Sequence, residues 1–97
     1  MAVPTHPMYD TVESRLASFK NWTKTTGPKP EELADAGFYY VGEGDKTKCF
    51  HCNGGLNHWQ DDDVAWEQHA FWFSRCAYVL LIKGESYVDR VMNKINN

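Results

Sequence analysis

The stretch Cys49–Cys76, CFHCNGGLNHWQDDDVAWEQHAFWFSRC, contains all three cysteines of the chain. An odd number of thiols cannot close entirely into disulfides within one chain. The spacing Cys49-x2-Cys52-x16-His69-x6-Cys76 suits another use. A CxxC turn presents two sulfurs to one ion, and a helix carrying His69 toward Cys76 brings two further donors. Cys49, Cys52, His69 and Cys76 are therefore expected to bind one Zn²⁺. The alternative is that the thiols are buried as small apolar residues, but three cysteines and a histidine so close together rarely arise for packing alone. His51 and His58 rival His69 as the fourth ligand: His51 sits inside the CxxC turn and is expected to point away, while His58 lies near enough to compete. A Cys3His set is full, with no position left for water or substrate, so the ion is expected to be structural and to contribute about 10 kcal/mol to folding.

Two other zinc chemistries fail on spacing. A nucleic-acid finger needs two histidines and basic surroundings. A zinc deaminase needs H-x-E before its P-C-x-x-C, whereas Ala70-Phe71 follow His69. There is no HExxH, and no catalytic group is expected.

Bulk properties agree with a small binding domain. The chain has 97 residues, 42% apolar and 24% charged, and a net charge of −3. A chain of this size buries roughly 60–65% of its unfolded surface. The acidic balance disfavours nucleic acid, whose phosphates call for lysine and arginine. No apolar run approaches a membrane span, and no basic-then-apolar leader opens the sequence. Free thiols without such a leader suggest a reducing, cytoplasmic setting. Aromatics reach 14%, enough for some rings to serve a surface.

Outward from the cysteines, the pattern reads as α+β, with a three-stranded antiparallel sheet and flanking short helices. Residues 1–7 form an N-terminal extension and 8–95 the domain. Val12, Leu16, Phe19 and Trp22 recur at helical spacing within 8–22, with Asp10 or Thr11 to cap. Pro30-Glu31-Glu32 opens a short helix over 30–36 that ends at Gly37. Strands are expected over 38–41 and 46–50, joined at Gly42-Glu43-Gly44-Asp45, and over 56–59. Helices follow over 64–72 and 85–95, the latter with Val88, Val91, Met92 and Ile95 on one side.

The sequence resembles the BIR domain of inhibitor-of-apoptosis proteins. The metal spacing carries the resemblance, together with Arg15-Leu16-x-x-Phe19-x-x-Trp22, Leu33-Ala34-x-Ala36-Gly37-Phe38-Tyr39-Tyr40, Gly42-x-Gly44-Asp45 and Lys83-Gly84-x-x-Tyr87-Val88. It covers about residues 6–93 and is nearest the later, peptide-groove (type II) BIR domains. The resemblance implies a binding module that takes free Ala-x-Pro-x N-termini of caspases and pro-apoptotic antagonists. The peptide would add a strand to the third strand of the sheet. On this sequence the groove would fall on Gly55, Leu56, Asn57, His58, Trp59, Asp63, Gln68, Trp72 and Phe73.

The chemistry of those positions is consistent. A buried ammonium needs a carboxylate, and Asp63 with Gln68 offers a charge partner and an amide acceptor. Trp59 and Trp72 can wall a pocket sized for alanine, and Trp72 with Phe73 can pack a proline ring. Each has a plainer alternative. Asp61–Asp63 can be a solvated acidic turn that caps the next helix, Trp59 and Trp72 can both be core, and Gln68 can merely support His69. Three departures from the family pattern stand out: Thr23, Asn53, and Val64-Ala65 at the helix start, where valine caps poorly. A second functional reading is a scaffolding BIR domain of the chromosome-segregation type that reads another protein tail. It would present exposed apolar residues around Val91, Met92 and Ile95. Removal of Met1 would also expose Ala2-Val3-Pro4-Thr5, itself ligand-like, for self-association through the groove of a second copy; the alternative is an ordinary linker.

Overall fold

The computed structural model describes residues 3–96, with side chains described as far as Lys94. Ala2 and the side chain of Ile95 lie outside the described residues. Among the described residues five α-helices, α1 (Val12–Ala17), α2 (Pro30–Asp35), α3 (Ala65–Trp72), α4 (Ala77–Ile82) and α5 (Glu85–Asn96), flank three strands, β1 (Phe38–Tyr40), β2 (Thr47–Cys49) and β3 (Gly55–Leu56). The sheet is antiparallel in the order β1-β2-β3, so β3 is an edge. Phe38 pairs with Cys49, Tyr40 with Thr47, and Thr47 with Leu56.

The first helical stretch is shorter than its periodicity suggests. Thr11 caps α1 by accepting the Ser14 N–H at 3.0 Å. The helix then tightens into a 3₁₀ turn over Ser18–Asn21. The Ser18 hydroxyl donates to the Arg15 carbonyl at 2.6 Å and accepts the Tyr40 N–H at 2.8 Å. A serine that bonds back into its own helix competes with the regular ladder, and here it also fastens the turn to β1. The buried face differs too. Arg15 is 1% exposed, whereas Val12 and Leu16 are 38% and 37% exposed. Burial of the guanidinium is supported by bonds from Arg15 to the carbonyls of Ala34 and Tyr9, both 2.8 Å, and to the Tyr78 hydroxyl at 3.2 Å.

Strand β3 stops three residues earlier than 56–59 predicts. His58 takes a left-handed φ of 57°, and the N–H groups of His58 and Trp59 turn to the Asp45 carboxylate at 3.0 and 2.8 Å. Both donors leave the ladder, so pairing ends at Leu56. Trp59 then drops into the core, 3% exposed, edge-on to Phe38 at 5.6 Å.

Val64 gives α3 no side-chain cap. The cap comes from α2, where Glu32 Oε2 accepts the Ala65 N–H at 2.8 Å. Helix α4 lies where the periodicity gives no signal: its sequence AYVLLI is apolar throughout, with Val79 buried and Leu81 and Ile82 exposed. Along α5, Val88 and Val91 are buried, and the Lys94 ammonium meets Glu67 of α3 at 3.1 Å. At the other end of the chain, Thr5 and His6 donate backbone N–H groups to the carbonyls of His51 and Phe50, at 3.1 and 2.9 Å.

Candidate metal centre and peptide groove

Cys49 ends β2, Cys52 closes the tight turn after it, His69 lies on α3, and Cys76 immediately precedes α4. The turn holds its shape through Asn53, whose φ is 63° and whose N–H donates to the Cys49 carbonyl at 3.0 Å. The His51 and Cys52 N–H groups donate to Cys49 Sγ at 3.3 and 3.5 Å. His69 is fully buried and donates from Nδ1 to the Ala36 carbonyl at 2.7 Å. A carbonyl only accepts, so Nδ1 must carry the proton and Nε2 is left as the donor atom.

The four ligand atoms lie within 4.8 Å of one another. Cys49 Sγ stands 3.9 Å from Cys76 Sγ, and Cys52 Sγ stands 3.9 Å from His69 Nε2. Sulfurs at about 2.3 Å from a tetrahedral ion stand about 3.8 Å apart, so the residues fit zinc. Three thiolates and one imidazole, with no open position, make the site structural, as the spacing predicts. His51 and His58 lie outside this cluster.

Cys49, His69 and Cys76 shift one another's hold on protons. Hydrogen bonds from Cys49 and Cys52 hold the Cys76 thiol far below its ordinary value despite its burial. Cys49 is pushed up by its contacts with Cys52 and Cys76 and by burial. Burial alone would lower His69, but hydrogen bonding to Cys52 and Cys76 pushes it up to about 9. A divalent cation gives all four a shared partner, so zinc binding releases protons and strengthens as pH rises.

Residues 15–80 match the family described as "BIR: Inhibitor of Apoptosis domain". The chain belongs to the BIR domain family. Relatives include "Apoptosis inhibitor IAP" of Cydia pomonella granulosis virus (isolate Mexico/1963), 53% identical over 94% of this chain and 33% of the relative. "E3 ubiquitin-protein ligase IAP-3" of Orgyia pseudotsugata multicapsid polyhedrosis virus is 54% identical over 92% of this chain and 33% of the relative. Mouse "Baculoviral IAP repeat-containing protein 7" is 47% identical over 91% and 31% respectively. The BIR chain thus spans about a third of the length of these relatives.

The expected groove residues divide into three groups. Gly55, Leu56, Asn57 and His58 follow the outer edge of the sheet, with Gly55, Asn57 and His58 exposed. Asp63, Gln68, Trp72 and Phe73 lie on α3 and its flanks. Trp59 belongs to the core, while Trp72 is 59% exposed. Trp72 Nε1 donates to Gln68 Oε1 at 3.2 Å, which fixes the indole beside the amide. Asp63 does not cap α3; its Oδ2 accepts the Gln60 N–H at 2.8 Å within its own turn. The two parts are joined at Gly54, where a Cβ would come within 2.5 Å of the Phe73 ring.

Beside β3 lies a cavity of about 210 Å³ lined by Val41, Lys46, Thr47, Lys48, Leu56 and neighbours. Val41, Lys46 and Lys48 are absent from the sequence-predicted set. The signal for the two lysines was the period of two along β2, which places residues 46 and 48 on one face. Among the described residues, no helix is long and apolar enough to cross a membrane.

Proposed function

We propose that this BIR domain is an anti-apoptotic binding module, not an enzyme, that recognises free Ala-x-Pro-x N-termini of caspases and pro-apoptotic antagonists in the cytoplasm. The supporting observation is an open sheet edge at β3 that Gly54 joins to Phe73, at the end of the helix that carries Gln68 and the exposed Trp72. Residues 55–57 offer backbone groups to an added strand. Asp63, released from capping by Glu32, provides the carboxylate for an N-terminal ammonium, and Gln68 adds an acceptor. A charge-assisted bond of this kind contributes about 1.5–3 kcal/mol. Trp72 receives the proline, whose fixed φ lowers the ordering cost of an extended peptide. Trp59 serves as floor behind the groove, not as an open wall. The cavity between β3 and the Lys46–Lys48 face accepts a further apolar side chain.

The scaffolding alternative calls for exposed apolar residues around Val91, Met92 and Ile95, yet Val91 is 4% exposed and Met92 is half-buried against the core. Fluorescence polarisation tests the peptide reading. A labelled Ala-Val-Pro-Ile peptide should bind at about micromolar or tighter, and its N-acetylated twin should not. Protein lacking residues 1–5 removes competition from its own N-terminus. Equal binding of both peptides, or none by the zinc-loaded fold, would contradict the proposal.

A further inference from the structure

The four ligating side chains are unequally covered. Cys49 and His69 are fully buried and Cys76 is 4% exposed. Cys52 is only half-buried, and it lines an open cleft of about 410 Å³ together with the nearly covered Cys76, Gly54, Trp72, Phe73 and Arg75. A second difference is electronic. Cys49 Sγ accepts two backbone N–H groups, from His51 and Cys52. Among the described residues no backbone N–H donates to Cys52 Sγ; its contact is with His69 Nε2. An N–H donor draws charge from a thiolate sulfur, so the sulfur without one keeps more nucleophilic character.

We propose that Cys52 is the oxidant-sensitive thiolate of the zinc centre, reached through this cleft by small peroxides such as hydrogen peroxide. Of the two cysteines on the cleft Cys52 is the more exposed, and unlike Cys49 it accepts no backbone N–H among the described residues; the exposed Arg75 adds positive charge to the cleft lining. The Cys52 sulfur attacks one peroxide oxygen, an S–O bond forms, the O–O bond breaks, and hydroxide leaves. Cys52 becomes a sulfenic acid, oxidised by two electrons as the peroxide is reduced. A second thiolate, Cys49 or Cys76, both within 4.8 Å, then attacks the Cys52 sulfur. The S–S bond forms and a second hydroxide leaves. Zinc loses two of its donors and departs, and with it the fold.

The test treats the zinc-loaded chain with limiting hydrogen peroxide while a chromogenic chelator reports free zinc. In one sample dimedone traps sulfenic acid; in a parallel sample without it the remaining thiols are alkylated after unfolding, and peptide mapping locates each. The expected result is that Cys52 is the first thiol lost, that zinc appears in step with that loss, and that dithiothreitol with added zinc restores the folded state. First loss at Cys49 or Cys76, even loss over all three, or zinc release ahead of Cys52 oxidation would overturn the proposal. Cys52→His, which keeps four donors, should lose peroxide-driven zinc release. If this variant fails to hold zinc, the mapping on the unaltered chain decides alone.

Discussion

His69 donates its Nδ1 proton to the Ala36 carbonyl at 2.7 Å, so the end of α2 fixes which nitrogen of an α3 residue faces the cysteines. One bond thereby joins the helical half of the molecule to the metal centre. The imidazole cannot rotate away without leaving a buried carbonyl unpaired, a cost of about 1–3 kcal/mol.

Zinc removal should unfold the domain. The core around the centre is small, and a structural zinc contributes on the order of 10 kcal/mol, comparable with the whole stability of such a domain. Titration with a chelator should abolish near-UV circular dichroism from the aromatic core, and His69→Ala should behave the same with zinc present. A native spectrum in excess chelator would refute the structural assignment.

Gly37 is predicted to resist substitution. Its φ is 100°, and a Cβ there would meet the Tyr78 ring at 3.1 Å and His69 Cε1 at 3.4 Å. Gly37→Ala should cost about 1–3 kcal/mol in urea unfolding of the zinc-loaded protein. Gly42 also has a positive φ but no atom near its Cβ position; alanine there should cost less, about 1 kcal/mol. Equal costs would mean that crowding against the Tyr78 ring is irrelevant.

Arg15 is a buried cation held by two carbonyls and a hydroxyl, over the Phe50 ring at 4.5 Å. Among the described residues it has no carboxylate partner. Lysine supplies charge without the planar fork, so Arg15→Lys should destabilise by about 3 kcal/mol. Thermal or urea unfolding measures this. A change below about 0.5 kcal/mol, typical of surface positions, would show that the fork is not needed.

Asp45 should give an acid-dependent contribution. Burial pushes its carboxyl up, but the His58 and Trp59 N–H bonds, with Lys24 nearby, bring it below the ordinary carboxylate value. A depressed folded pKa means stability is gained above the unfolded value, about 3.9, and lost as pH falls through the folded one. Asp45→Ala should cost about 2 kcal/mol, and the gap from the parent protein should stay constant from pH 7 to about pH 4.5 before closing. Urea melts of zinc-saturated samples check this, and a gap that varies between pH 5 and 7 would assign it to another group.

The ligand set was legible because it depends on local spacing: CxxC makes a turn anywhere, and His69 and Cys76 lie near one another across a helix end. Strand β3 was overestimated because what ends it is not local; the Asp45 carboxylate, on the preceding hairpin, removes two N–H groups from the ladder. The α3 cap was invisible for the same reason, since Glu32 reaches it from another helix. In α1, periodicity favoured Leu16 over Arg15, because nothing in a linear pattern reveals three acceptors converging on one guanidinium. Helix α4 carries no amphipathic alternation to read. For the groove, sequence could name Trp59 and Trp72 but not separate them; only packing against Phe38 places the first indole in the core.

The most direct measurement is an amide and indole NMR titration of the ¹⁵N-labelled, zinc-loaded domain with an unlabelled Ala-Val-Pro-Ile peptide. The account predicts the largest shifts at Gly55, Leu56, Asn57, Gln68 and the Trp72 indole, all lost with Asp63→Ala. Shifts confined to the α5 face around Val88–Met92, or none at saturating peptide, would contradict it.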